Sequence, residues 1–102
     1  MQRIGRLTRL KPGAVAEYRR WHQQPWQEIL DVTRSAGIHN YSIYIHGCEL
    51  FSYLEVDDWQ EAVRMLNAEP SSANWQELMA PFMDAADAEA PWAMLEEVFH
   101  LD

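Results

Sequence analysis

The chain has 102 residues, too few to build a second hydrophobic core, so it is read as one domain over residues 1–102. A hydrophobic fraction of 48% with 12% aromatics argues for a packed fold and against disorder. The formal net charge of −8 leaves no broad cationic face for a nucleic acid or an anionic membrane, and a small neutral ligand fits better.

Residues 3–10 (RIGRLTRL) alternate roughly polar and apolar, the period of a strand. Arg3, Arg6 and Arg9 interrupt any apolar run there, so neither a signal peptide nor a membrane span is expected. Lys11-Pro12-Gly13 ends the strand, and a helical stripe follows over about 14–35, carrying Val15, Tyr18, His22, Trp26, Ile29 and Leu30. Pro25 removes one hydrogen bond from that run, which predicts a kink or break near residues 22–25. Gly37 is a plausible residue to close the helix. Segments 39–46 and 50–56, rich in β-branched and aromatic residues around Gly47-Cys48, read as a hairpin. Asp57 or Asp58 caps a second helix over about 59–68, which Pro70 ends; a third runs from Ser71 or Ser72 to about Met83, disturbed near Pro81. The acidic, Ala-rich stretch 84–91 reads as a loop, and 92–101 as a last strand.

This order is α+β, the ferredoxin-like β-α-β-β-α-β arrangement, an antiparallel sheet with helices on one face. The central hairpin is apolar on both faces: Tyr41, Ile43 and Ile45 point one way, while Tyr44 with Ser42 and His46 points the other. A sheet face bearing large exposed aromatics is usually covered, so the expectation is a sheet-to-sheet homodimer forming a dimeric α/β barrel. The lone Cys48 excludes an intrachain disulfide, no Cys/His cluster suggests zinc, and the expected compartment is the cytoplasm.

Tyr18 and His22 are four residues apart and share one helix face, with Trp26 extending the line if the helix survives Pro25. An imidazole titrating near neutral pH between a phenol and an indole suits proton transfer in an aromatic sugar pocket. On spacing alone, such a histidine is more often a hydrogen-bonded core residue than a catalytic one. Tyr41 is expected to point into the same gap between sheet and helix, and Trp75 to close its other side. Nucleotide-binding glycine motifs, HExxH and GxSxG are absent.

Four segments, EYRRWHQQPWQE (17–28), HNYSIY (39–44), NWQELMAPFM (74–83) and EEVFHLD (96–102), closely resemble the L-rhamnose mutarotase family over essentially the whole chain. The resemblance implies a homodimer of ferredoxin-like subunits with no metal and no organic cofactor, which interconverts the α and β anomers of L-rhamnose. It makes His22 the proton donor and Tyr18, Tyr41 and Trp75 sugar-binding residues. Trp26 is a further sugar-binding candidate, and Gln76 stands where some members carry a second Trp beside the first. Trp21 and Asn74 also depart from positions where many members have Arg. The departures leave the acid in place and bear on the sugar, L-fucose being the competing substrate. Two other classes share the architecture or its pocket chemistry: dimeric α/β-barrel monooxygenases and non-catalytic sugar-binding modules.

Overall fold

The alternating N-terminal residues form strand β1 (Gln2–Arg9), whose phase sends Ile4, Arg6 and Thr8 to one face and Arg3, Gly5 and Leu7 to the other. The computed structural model describes residues 1–84 and 91–102. A short 3₁₀ turn at Pro12–Ala14 leads into α1 (Val15–Gln23), and α2 follows at Gln27–Ser35. The break falls where Pro25 predicts it. The residue before a proline is pushed out of the helical region, and Gln24 accordingly takes φ −136°, ψ 67°. Gly37 then closes α2 with φ +84° and donates its N–H to the Arg34 carbonyl at 3.0 Å.

Strands β2 (Ile38–His46) and β3 (Glu49–Val56) form the expected hairpin around Gly47-Cys48. Asp58 caps α3 (Trp59–Ala68), accepting a hydrogen bond from the Glu61 N–H at 3.2 Å. Pro70 does more than end α3: it is also in the first turn of α4 (Pro70–Met79), where its missing N–H needs no partner. The first crossover is thus a pair of helices broken at Pro25, and the second is the two separate helices that the sequence predicts. Past Met79 the chain tightens into a 3₁₀ turn, Ala80–Phe82, around Pro81.

The sheet order is β2-β3-β1-β4 with every pairing antiparallel, which is the ferredoxin-like topology. The last strand is shorter than predicted. Only Ala93–Leu95 (β4) pairs with β1, and beyond it the chain is held by a bidentate Arg3–Glu97 ion pair at 2.8 and 2.9 Å instead of a backbone ladder. Val98, Phe99 and Leu101 stay exposed. The stretch read as a loop lies, apart from Asp84 and Pro91, outside the described residues.

Helices cover one sheet face over two buried clusters. Leu10, Tyr18, Leu50, Trp75 and Met79 make the first, and Ala36, Ile38, Leu54, Val56 and Ala62 the second. The opposite face carries Leu7, Tyr44, Phe51 and Leu95, all exposed, with the Tyr44 and Phe51 rings 6.3 Å apart. Among the described residues no helix is long and apolar enough to cross a membrane.

A bulge in β2 positions the site. His39 pairs with Glu55 and Ser42 with Tyr53, so Asn40 and Tyr41 together oppose the single Leu54. The extra residue reverses the phase, so Ile38 and Tyr41 both belong to the helix-covered face despite their odd spacing. Asn40 takes φ +50°, tolerable for Asn and costly for most side chains, and its amide donates to Glu55 Oε1 at 2.6 Å. Asn40→Ala should therefore lose about 1–2 kcal/mol in denaturant titration, and Asn40→Gly less, because glycine keeps the left-handed conformation. Equal losses in both variants would show that the amide contact, and not the backbone, holds the bulge.

Candidate active site

The i, i+4 spacing of Tyr18 and His22 survives in α1, where the two rings stack with centroids 4.1 Å apart and planes at 27°. His22 Nδ1 lies 2.8 Å from the Tyr18 carbonyl oxygen. A carbonyl only accepts, so the proton sits on Nδ1 and the neutral ring keeps its lone pair on Nε2. Burial pushes the imidazole below its ordinary pKa, with the Tyr18 carbonyl pulling the other way. Burial therefore favours the neutral ring, and Nε2 is the nitrogen left to exchange a proton. Burial pushes the Tyr18 phenol up, neighbouring Tyr41 adds to this and Arg6 opposes it. Tyr18 consequently holds its proton more firmly than a free phenol.

These two residues border a cleft of about 190 Å³, with Arg19 and Gln23 on its rim and Ile43, Ile45 and Leu50 of the sheet beneath. It is small against pockets for drug-sized ligands, about 300–1,000 Å³, and suits a single small ring. None of the residues lining it is a carboxylate. Of the two glutamates nearest the aromatic elements in sequence, Glu55 is on the open sheet face, bonded to Asn40 and Tyr53. Glu28 lines a different, shallower cleft between α2 and α4. No group of His, Cys, Asp and Glu able to hold a metal ion occurs among the described residues.

Trp75 is buried and central. It meets His22 edge-on at 5.5 Å, Trp26 at 5.3 Å and Trp21 at 6.5 Å. The indole therefore backs the imidazole, and it does not line the cleft in front of it. Trp26 keeps company with Trp75 although the helix breaks before it, and its outer side lines the α2–α4 cleft. Gln76, one residue on and so about 100° further round α4, is exposed and is not brought to the His22 cleft.

Tyr41 sits at the edge of the helix-covered face, where its oxygen accepts a hydrogen bond from Arg6 Nη2 at 2.9 Å. Arg6 Nε donates to the fully buried Ser52 Oγ at 3.2 Å, and the guanidinium lies 4.7 Å from the Trp92 ring and 5.3 Å from Trp59. Sequence reading passed over Arg6 because a strand arginine normally faces water. The signal was its phase: it shares the inward parity of Ile4, Thr8 and Leu10, while Arg3 and Arg9 do not.

With this geometry in place, the comparisons with known proteins agree. The family model of L-rhamnose mutarotase matches residues 3–101. An L-rhamnose mutarotase of Opitutus terrae is 38% identical over 88% of each chain, and those of Lactiplantibacillus plantarum and Bacillus subtilis are 36% and 35% identical over the full length of both chains. A crystal structure of an L-rhamnose mutarotase from Formosa agariphila superposes over the whole of both chains with a TM-score of 0.84 at 26% identity. On its sequence, its topology and its full-length relatives, this chain belongs to the L-rhamnose mutarotase family.

Proposed function

We propose that this protein is an isomerase that interconverts the α and β anomers of L-rhamnose by acid–base opening and reclosure of the sugar ring. The observation that carries the reading is His22 on the wall of a small carboxylate-free cleft, its Nδ1 held by the Tyr18 carbonyl so that Nε2 is left to exchange protons. Mutarotation moves protons and no net electrons. A base takes the anomeric hydroxyl proton, the C1–O5 pair leaves to the ring oxygen, C1 rotates as an aldehyde, and the ring closes on its other face. His22 Nε2 is the base on opening and returns the proton on closing. Tyr18 hydrogen-bonds the sugar's hydroxyls, and Trp75 with Trp26 keeps the imidazole from swinging away. The chemistry asks for no cofactor.

Exchange NMR on equilibrated L-rhamnose tests this directly. Added protein should produce cross-peaks between the α and β anomeric signals well above the spontaneous rate. Unchanged exchange with rhamnose, fucose and other aldoses would overturn the reading, and oxygen uptake with a quinol would favour a monooxygenase instead.

The same reading makes the protein a cytoplasmic homodimer. Support for pairing comes from Leu7, Tyr44, Phe51 and Leu95, which one chain leaves exposed on a single sheet face. In a two-fold pair Phe51→Glu acts twice, at about 2–3 kcal/mol each, and should weaken pairing roughly 10³–10⁴-fold. Sedimentation should then show a dimer for the parent chain and a monomer for the variant at micromolar concentration; a monomeric parent would remove the dimer.

A further inference from the structure

We infer that Arg19, with Gln23, is the specificity-determining residue of the His22 cleft and reads the axial C2 hydroxyl of the sugar. The inference rests on the mutarotase reading and deepens it, since it names a stereocentre beyond C1 that the cleft selects.

The cleft has two unlike sides. Its polar side comes entirely from α1, as two adjoining rows: Tyr18 with His22, and Arg19 with Gln23. Residues four apart on a helix stand about 5–6 Å from each other at Cβ, so each row has the length of one sugar ring. The floor is apolar, made by Ile43 and Ile45 of β2 and Leu50 of β3, which pack with the first core cluster.

Arg19 is exposed and uncommitted. Of the seven arginines, it is the one with neither an ion pair nor a side-chain hydrogen bond among the described residues. Its neighbours three and four positions away on the helix are Val15, Ala16, His22 and Gln23, none of them a carboxylate. Arg20, next to it, pairs instead with Glu17. An uncommitted guanidinium beside the reacting group keeps its fork of donors for a ligand.

An L-rhamnopyranose ring has the same two-sidedness. Its axial C3 and C5 hydrogens make one face apolar, and the axial C2 hydroxyl stands on the other. With the apolar face and the C6 methyl on the floor and C1 at His22, O2 rises toward α1. There O2 and its neighbour O3 accept hydrogen bonds from Arg19, and the Gln23 carbonyl accepts a hydroxyl proton in return. No carboxylate lines the cleft to take that second role. Inverting C2 lays its hydroxyl in the ring plane and turns a C–H bond toward the arginine. L-Fucose, inverted at C2 and C4, loses the same contact.

The test is anomer-exchange NMR on L-rhamnose, on its C2 epimer 6-deoxy-L-glucose, and on L-mannose, which differs only by a C6 hydroxyl. The parent chain should favour L-rhamnose over 6-deoxy-L-glucose by roughly 10–100-fold in kcat/KM, the worth of a hydrogen bond to a charged group. Arg19→Ala should erase that preference, chiefly by raising KM for L-rhamnose, because the contact exists before and during ring opening. Preference over L-mannose belongs to the floor, so it should survive Arg19→Ala and shrink in Ile45→Thr. A parent chain indifferent to C2, a C2 preference that survives Arg19→Ala, or an Arg19→Ala loss shared equally by all the sugars would overturn the inference. Arg19 is exposed, so its variant keeps the fold; should Ile45→Thr not fold, the Arg19→Ala comparison decides alone. Inactivity of the parent chain toward every aldose would instead overturn the mutarotase reading, so the two failures are distinct.

Discussion

Replacing His22 with Ala should lower kcat for anomer exchange by roughly 10²–10⁴-fold, the span of general acid–base catalysis, while the fold survives. The pH profile is the sharper half of this prediction. Burial favours the neutral ring, so His22 stays a competent base below the ordinary imidazole value of about 6.5. Activity of the parent chain should accordingly hold as pH falls past 6.5 and drop only through the lower folded value, as Nε2 is protonated. Stability moves with the same sign. The unfolded chain takes up its proton near pH 6.5 and the native one resists, so unfolded chain binds more protons in that window and stability falls as pH falls through it, levelling below the folded value. His22→Ala should remove that slope, measured by urea titration across about pH 4–8. An acid limb at or above 6.5 that persists in the variant would assign the titration to another group.

Replacing Trp75 with Ala should be the most destabilising of these changes, at about 3–5 kcal/mol. The indole joins the first core cluster and touches three aromatic rings from α1 and the start of α2, so nothing nearby collapses to fill its volume. Against a typical total of about 5–15 kcal/mol, and at about 4–8 °C per kcal/mol in a domain of this size, thermal denaturation should show a fall of tens of degrees. Trp75→Phe keeps one ring against His22 and should lose far less. Activity should follow packing: if Trp75 backs the imidazole, Trp75→Phe lowers kcat with little effect on KM. A change confined to KM would instead mean that the indole touches the sugar.

Much of the fold was legible because its signals are short-range. Pro25 and Pro70 mark helix ends by removing donors and restricting the residue before them, Gly37 and Asp58 cap as their types predict, and the 39–56 hairpin follows from alternation around Gly47. Family resemblance drew attention to Tyr18, His22, Tyr41 and Trp75, while i, i+4 spacing alone justified only the first two sharing a face. Trp26 and Gln76 show the limit: adjacency in sequence to Pro25 or to Trp75 says nothing of which cleft a side chain reaches.

By itself the sequence determined the element order, the antiparallel α+β topology and the stacked Tyr18–His22 pair, since these depend on local periodicity, caps and breaks. Only the tertiary structure decided that Tyr41 shares a face with Ile38, that Arg6 lies inward among tryptophans, and that Trp75 stands behind the imidazole. It also decided that His22 is partly buried with Nδ1 against the Tyr18 carbonyl, which favours the neutral ring. The reason is that one bulged residue reverses every side chain beyond it, and burial sets the protonation state. Register and burial both arise from partners tens of residues away, which no window of neighbouring residues contains.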